Sequence, residues 1–239
     1  MGEDGPRSGA QIGGALTVDD ERRRRVLYGR RRGRKLRPGR AALVAEILPR
    51  IEIALPVTLD ARETWLEIGF GAGEHLAAQA AAHPDIAFIG CEPFFDGVAK
   101  LIAEIAARSL TNVRVFQDDA RMLLDALPDA SIARGFVLFP DPWPKARHNK
   151  RRILSRDGFA KLARVLRPGA ELRIATDDAD YLAWIREHAA LEGSFALETE
   201  WREARPDWPI TRYEEKARAA GRIPAFLAFR RRRNNAETP

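Results

Sequence analysis

The stretch LEIGFGAG, residues 66–73, places three glycines within five positions directly after an apolar run. It joins an apolar strand candidate, Thr64–Ile68, to an alanine-rich helix candidate, Glu74–Ala82. Gly69, Gly71 and Gly73 let the backbone turn tightly and approach a ligand without clashes from Cβ atoms. A glycine loop between a strand and a helix opens the ligand site of many α/β proteins, so this stretch predicts a ligand at the end of the first strand.

Strand and helix candidates alternate on both sides of this stretch. The continuous apolar strands predict a Rossmann-like, doubly wound and mostly parallel sheet with helices on both faces. No internal repeat or low-complexity linker interrupts residues 41–233, which we predict to be one domain followed by a tail, residues 234–239. The other strand candidates are Ile86–Cys91, Val113–Phe116, Ile132–Leu138, Glu171–Ala175, Phe195–Glu198 and Phe226–Arg230. The other helix candidates are Ala41–Leu48, Asp96–Arg108, Arg121–Ala126, Phe159–Leu166 and Asp178–His188, the fourth ended by Arg167-Pro168-Gly169.

The composition argues against several classes of protein. No apolar run approaches the roughly 20 residues of a membrane span, and the charged N-terminus lacks the apolar part of a secretory signal. The single cysteine, Cys91, argues against a disulfide scaffold and a cysteine-based zinc site, and we expect no metal. Cys91 ends a strand candidate and is expected to be a small buried hydrophobe. We therefore expect a cytoplasmic protein.

Residues 1–40 form a basic arm. They hold twelve Lys/Arg and five Asp/Glu, a net charge of +7, whereas the whole chain carries +6 and residues 41–239 therefore sum to −1. Eleven of the twelve basic residues lie in Arg22–Arg40. A block of like charge stays flexible when free and releases counterions when it meets phosphates. The arm therefore predicts RNA or DNA binding, and the alternative is a solubilising tail.

Acidic residues follow three successive strand candidates, where ligands bind in open α/β sheets. Glu67 precedes the glycine loop and suits a cationic, amino-acid-bearing ligand better than a pyrophosphate. Glu92 lies nineteen residues after Gly73, the distance at which an acid takes ribose hydroxyls. Asp119 follows the third strand and would meet an adenine edge. Each acid alone could be a solvated residue or a helix N-cap, but together they favour S-adenosylmethionine, with NAD(P) as the alternative.

The fourth strand ends in FPDPWPKARHNKRR, residues 139–152. The prolines on either side of Asp141 fix its backbone and remove competing N–H donors. Trp143 could stack on a base or pack beneath the loop. Lys145 and the basic segment offer phosphate contacts, and the alternative is an exposed helix face. The basic segment consists of Arg147, His148, Asn149, Lys150, Arg151 and Arg152.

Two further polar groups follow later strand candidates. Asp177 could accept the N1–H and N2–H₂ donors of a guanine, or it could cap the helix that starts at Asp178. Thr211-Arg212-Tyr213-Glu214 is a compact polar cluster after Trp208-Pro209. Alone this cluster predicts little.

These motifs, in this order, resemble those of the tRNA (guanine-N7-)-methyltransferase family, of the bacterial single-chain type, over residues 22–232. LEIGFGAG resembles the family's cofactor loop, GCEP its ribose-binding acid and DDA its adenine-side acid. FPDPWPKARHNKRR is the most specific motif, and IATD and T-x-Y-E follow in the family's order. The resemblance implies a class I methyltransferase fold with the last strand antiparallel. It also implies methyl transfer from S-adenosylmethionine to N7 of guanine-46 in the tRNA variable loop.

The resemblance assigns roles to individual positions. Glu67, Glu92, Asp119 and Asp141 would contact S-adenosylmethionine beside the three loop glycines. Lys145, Asp177 and the residues Thr211, Arg212, Tyr213 and Glu214 would contact the guanosine, and RNA would lie along the basic segment. The partner is then tRNA, with no membrane and no obligatory protein partner, and the protein is a monomer or homodimer.

The expected chemistry is mainly positioning. Guanine N7 carries a lone pair at neutral pH, so no base is needed to expose it, and alignment of the reacting atoms remains. The purine gains positive charge, which a fixed carboxylate would stabilise in the transition state. Asp141 is the first candidate and Asp177 the second; alternatively, Asp141 only holds the cofactor's amino group. The alternative functions are another Rossmann-fold RNA methyltransferase, an NAD(P)-dependent oxidoreductase and a non-catalytic RNA-binding module.

Overall fold

The computed structural model describes residues 33, 35–60, 62–203 and 208–233. Within them, one seven-stranded sheet has the order β3-β2-β1-β4-β5-β7-β6. β7 runs antiparallel to both of its neighbours and the other pairs are parallel. This confirms the predicted sheet. The strands are β1 (Thr64–Ile68), β2 (Ala87–Cys91), β3 (Val113–Phe116), β4 (Ile132–Leu138), β5 (Leu166–Thr176), β6 (Phe195–Trp201) and β7 (Ala225–Arg231).

Helices cover both faces of the sheet. The first three pack around one apolar cluster and the next three around another. Trp65 and Leu66 of β1 belong to different clusters because successive side chains of a strand point to opposite faces. The α-helices are α1 (Pro38–Ile51), α2 (Glu74–Ala82), α3 (Phe95–Arg108), α4 (Ala120–Ala126), α5 (Arg156–Val165), α6 (Ala179–Glu192) and α7 (Arg212–Ala219), and a 3₁₀ helix spans Ala146–Arg151.

The predicted core residues are buried. Cys91 and the four apolar side chains predicted to share one side of α3 all lie in the interior. These four are Val98, Leu101, Ile102 and Ile105. Their spacing of three and four residues places them on one helix face, which explains why the sequence was sufficient to predict it.

Several predicted elements begin or end a few residues away from the observed bounds, and two regions differ by more than that. Arg167-Pro168-Gly169 belongs to β5, where Leu166 pairs with Ile132 and the next pair is Arg134 with Glu171, so the residues between bulge out of the ladder. The cluster Thr211–Glu214 lies at the start of α7. That helix was not predicted because its eight residues include few large apolar side chains and show no clear apolar period.

α1 begins at Pro38, inside the predicted basic arm. Proline suits the first position of a helix because its N–H would have no partner there. Val44 of this helix is buried in the cluster around α3. Residues 1–32 and 34 of the arm, and the predicted tail, residues 234–239, lie outside the described residues.

The strand order reverses between β1 and β4. From β1 the chain adds β2 and β3 on one side, whereas β4 and β5 lie on the other. Ligands of open α/β sheets bind at the carboxyl ends of the strands beside such a switch point. The topology therefore predicts a ligand site at the loops that follow β1, β2, β3 and β4.

Candidate active site

A cavity of about 410 Å³ lies between these four loops. Its volume falls within the range of small-molecule sites. Three of the four predicted cofactor carboxylates meet around it, although they lie far apart in the sequence. The predicted residues in its lining are Gly69, Gly71, Glu92, Asp119, Asp141, Arg151, Arg212 and Tyr213, and Trp143 lines it as well.

The glycine loop presents bare backbone to the cavity. Gly69 and Gly71 have φ angles of 73° and 59°, which side chains of L-residues rarely adopt. A Cβ on Gly69 would meet no heavy atom within 4 Å, whereas one on Gly71 would lie 2.8 Å from Cε2 of Tyr213. Gly73 does not line the cavity; it is the N-cap residue of α2, with φ 83°. The loop is thus open beside Gly69 and walled by Tyr213 beside Gly71.

Glu92 joins the glycine loop to the end of β2. Its Oε2 accepts from the Gly71 N–H at 2.9 Å, and its Oε1 accepts from the Phe94 N–H at 2.9 Å. Burial raises the pKa of Glu92, the two backbone N–H groups lower it, and the charge of Asp141 adds to the increase. A carboxylate offers about four lone-pair positions, so acceptor capacity remains for two ligand hydroxyls.

Asp119 both caps a helix and lines the cavity. Its Oδ1 accepts from the Arg121 N–H at 2.9 Å at the start of α4, which confirms the N-cap alternative. The Arg121 side chain lies 3.4 Å from both Asp119 oxygens and donates to the Arg151 carbonyl at 2.9 Å. Arg121 therefore connects the predicted adenine side of the cavity to the basic segment. The sequence alone does not reveal this role of Arg121, because it depends on a contact between two residues thirty positions apart.

The loop after β4 holds Asp141 at the cavity wall. Phe139 and Trp143 on either side of the Pro140-Asp141-Pro142 corner have φ angles of 50° and 46°, both strained for residues with a side chain. The Phe139 N–H donates to the Ala175 carbonyl at 2.8 Å, which anchors the start of the corner. Desolvation by the surrounding walls raises the pKa of Asp141. The prolines and the bond to Ala175 restrict the backbone around Asp141, and its predicted rigidity stays a prediction.

Trp143 belongs to the cavity and to the basic segment at once. It lines the cavity, and the Arg151 guanidinium carbon lies 4.8 Å from its ring centroid. The His148 ring meets it edge-on at a centroid distance of 6.0 Å. Contacts of a cation with an aromatic face contribute about 0.5–1 kcal/mol at exposed sites. The indole thus packs on the basic segment beside the space open to a ligand.

Glu67 does not line the cavity. Its carboxylate is only 4% exposed and lies 2.7 Å from Nδ1 of His75, itself buried on α2. The Gln79 amide lies 3.4 Å from the other ring nitrogen of His75. The structure therefore places Glu67 in a buried polar chain beneath the glycine loop, and its predicted contact with a cofactor stays a prediction.

The predicted guanosine-contacting residues are divided between the cavity and its surroundings. Asp177 accepts from Nε of Arg222 at 2.6 Å and lies outside the cavity lining. The residue that caps α6 is Asp178, so the alternative role given to Asp177 was wrong. Lys145 is exposed next to the corner.

α7 presents Arg212 and Tyr213 to the cavity. Thr211 caps this helix through the Glu214 N–H at 3.2 Å, and the buried Glu214 carboxylate accepts from Arg218 at 2.9 Å. Thr211 and Glu214 therefore set the position of the helix. The T-x-x-E spacing of a helix start was the signal in the sequence.

The basic segment forms the 3₁₀ helix and ends in a buried arginine. Arg147 and Lys150 are exposed, and His148, Asn149 and Arg151 are partly buried. Arg152 is 1% exposed, and its guanidinium bonds the Pro142 carbonyl and Asp180. The structure therefore places Arg152 beneath the loop and not on the exposed surface of the basic segment, and its predicted contact with RNA stays a prediction.

Two kinds of feature are absent from the part of the chain that the structure describes. None of its helices is long and apolar enough to cross a membrane. It also contains no group of three or more His, Cys, Asp or Glu side chains arranged to hold a metal ion.

Solved structures share the fold of this chain. The 16S rRNA methyltransferase KamB superimposes with a TM-score of 0.55 at 16% identity, covering 72% of this chain and 88% of that one. TrmN from Thermus thermophilus gives a TM-score of 0.53 at 16% identity, covering 80% of this chain and 48% of that one. At such identity, the likeness concerns the fold alone.

Sequence relatives are much closer. A family model described as "Putative methyltransferase" matches residues 61–225. The tRNA (guanine-N(7)-)-methyltransferase of Paramagnetospirillum magneticum is 48% identical over 220 residues, which cover 86% of this chain and 92% of the relative. The enzyme of the same name from Paracoccus denitrificans is 46% identical over 224 residues, covering 87% and 96%. By its sequence, its sheet and the loops around the cavity, the chain belongs to the tRNA (guanine-N7-)-methyltransferase family.

Proposed function

We propose that this protein transfers a methyl group from S-adenosylmethionine to N7 of guanine-46 in the variable loop of tRNA. The observation that carries the proposal is that a carboxylate-lined cavity and a basic surface share one loop. Asp141 and Trp143 line the cavity, and the exposed Arg147 and Lys150 follow in the same loop. Membership of the family supports the reaction and the RNA class, since the relatives described above carry that name.

The cavity suits S-adenosylmethionine. The open space beside Gly69 allows close approach of a ligand to the backbone, and Glu92 retains acceptor capacity for the ribose hydroxyls. Asp119 and Asp141 line the cavity. Asp119 would meet the adenine edge, and Asp141 would meet the amino group or the reacting centre. When bound, S-adenosylmethionine supplies a methyl group activated on a sulfonium sulfur.

The chain's own residues then have to orient the reacting groups and to stabilise the charge that develops. Rigid walls hold the reacting groups in line, which lowers the barrier through proximity and orientation. The carboxylate of Asp141 stabilises the positive charge that develops on the purine. No general base is required because N7 carries a free lone pair. A fixed carboxylate on a strained, proline-rich corner suits this role because it needs little reorganisation.

The RNA approaches from the side of the basic segment. Arg147 and Lys150 contact phosphates, and the N-terminal arm adds further contacts. A guanine that takes part in the tRNA core must leave its stack to enter the cavity. Tyr213 and Arg212 border the space that it would enter, and Lys145 and Asp177 lie farther out. The enzyme acts in the cytoplasm, without an obligatory protein partner or a metal, as a monomer or homodimer.

The test is incubation with an unmodified tRNA transcript and S-adenosylmethionine labelled in the methyl group, followed by mass analysis of the nucleosides. The expected product is labelled 7-methylguanosine, and a transcript with adenine at position 46 should remain unlabelled. The Asp141→Ala variant is the matched enzyme control. Label in another nucleoside, or label that persists in the position-46 variant, would contradict the proposal.

A further inference from the structure

A buried arginine lies under the corner that carries Asp141. Arg152 is 1% exposed, although arginine is seldom buried unless it is paired. Its Nε donates to the Pro142 carbonyl at 2.7 Å, and its Nη2 bonds the Asp180 carboxylate. Its guanidinium carbon lies 4.9 Å from the ring centroids of both Tyr181 and Trp184. One side chain thus joins the corner to helix α6.

The corner contains few hydrogen-bond donors of its own. Prolines at positions 140, 142 and 144 contribute no N–H groups. Phe139 and Trp143 hold strained φ angles of 50° and 46°, a conformation that persists only when its surroundings enforce it. The Phe139 N–H bonds the sheet before the corner, and the Arg152 guanidinium supplies a charge-assisted bond at Pro142. Asp141 lies between these two anchors.

We propose that Arg152 is a positioning residue that holds the Asp141 corner in the geometry needed for methyl transfer, and that it makes no contact with RNA. The proposal rests on the proposed function for its kinetic consequence, but not for its structural one. Arg152 follows the exposed Lys150 by two residues, so neighbouring cations of one motif have separate duties. Lys150 faces the RNA, and Arg152 supports the cavity wall.

The test compares four variants. Arg152→Met keeps an apolar stem but removes the donors, and Arg152→Lys keeps one charged donor. Lys150→Ala removes an exposed cation, and Arg156→Met makes the same replacement at an exposed arginine on α5. For each we would measure the single-turnover methylation rate, the affinity for S-adenosylhomocysteine, the salt dependence of tRNA binding and the thermal midpoint.

For Arg152→Met, we expect the rate with both substrates saturating to fall roughly 10- to 100-fold, as for a misplaced reacting group. Cofactor affinity and the salt slope of tRNA binding should stay those of the wild type, and Arg152→Lys should recover part of the rate. Lys150→Ala should lower the salt slope by about one, and Arg156→Met should leave the saturated rate unchanged. If Arg152→Met does not fold, a reduced rate in folded Arg152→Lys supports the proposal and an unchanged rate overturns it.

A salt slope for Arg152→Met that falls as it does for Lys150→Ala would overturn the proposal, and so would an unchanged rate. Trypsin provides a readout that does not depend on activity: cleavage after Lys150 should be faster in Arg152→Met than in the wild type and Arg156→Met. Should the wild type fail to methylate tRNA, the proposed function fails and this cleavage alone decides whether Arg152 anchors the corner. Equal cleavage would then refute the anchoring.

Discussion

The replacement Gly97→Ala tests whether the glycine loop and Glu92 act as one unit. Gly97 is the third residue of α3, and a Cβ there would lie 2.2 Å from the Gly71 carbonyl oxygen and 3.2 Å from Cγ of Glu92. Ordinary carbon–oxygen contacts are about 3.3 Å or longer, so the loop and the helix must separate by about 1 Å. The Gly71 N–H, now 2.9 Å from Glu92, would then lie beyond hydrogen-bond distance.

The expected loss of cofactor affinity follows from the hydrogen bond between Gly71 and Glu92. A hydrogen bond to a charged group contributes about 1.5–3 kcal/mol, so we expect cofactor affinity to fall about 10- to 150-fold. Overpacking costs about 1–3 kcal/mol, while alanine gains about 1 kcal/mol of helix propensity over glycine. The thermal midpoint should therefore fall by only a few degrees. We therefore expect cofactor affinity to fall because the loop changes shape, not because the protein unfolds.

The assay is calorimetric titration with S-adenosylmethionine alongside thermal unfolding. Gly39→Ala is the matched control because Gly39 also lies in the first turn of a helix and a Cβ there meets nothing within 4 Å. That variant should bind like the wild type. Wild-type affinity in Gly97→Ala would refute the view that the Gly71–Glu92 bond shapes the cofactor site.

Three further predictions concern charge. Asp141→Ala should lower turnover by about 10²–10³-fold with an unchanged thermal midpoint, and a near-wild-type rate would end its assigned role. Deleting residues 1–32, which leaves α1 whole, should weaken tRNA binding and flatten its salt dependence but spare cofactor affinity; an unchanged salt slope would show that the arm takes no part. Burial raises the pKa of Glu92, so the folded state binds more protons than the unfolded state. The contribution of this group to the free energy of unfolding therefore falls as pH rises from the ordinary glutamate pKa to the raised one. Cofactor affinity should rise over the same window, which begins at the ordinary glutamate pKa of about 4.3, and a flat titration would contradict this reasoning.

The strands, most of the helices and the ligand end of the sheet could be predicted from the amino-acid sequence. β1, β3, β4 and α2 have the predicted bounds because apolar runs, turns and helix periods are local properties. Glu92 and Asp119 could be assigned to one cavity before their distance was known, since the carboxyl ends of parallel strands meet at one edge. The family resemblance depended on the same local motifs.

Which side chains face the cavity and which face each other became visible only in the folded protein. Glu67 meets His75 beneath the loop, Tyr213 lies 142 residues after Gly71 and contacts it from a helix, and Arg152 turns away from the basic surface into the interior. Nothing in the letters of FPDPWPKARHNKRR separates its last arginine from the others. Arg152 differs because α6 places Tyr181, Trp184 and a carboxylate around it. Such partners come from packing between distant segments, which local pattern does not encode.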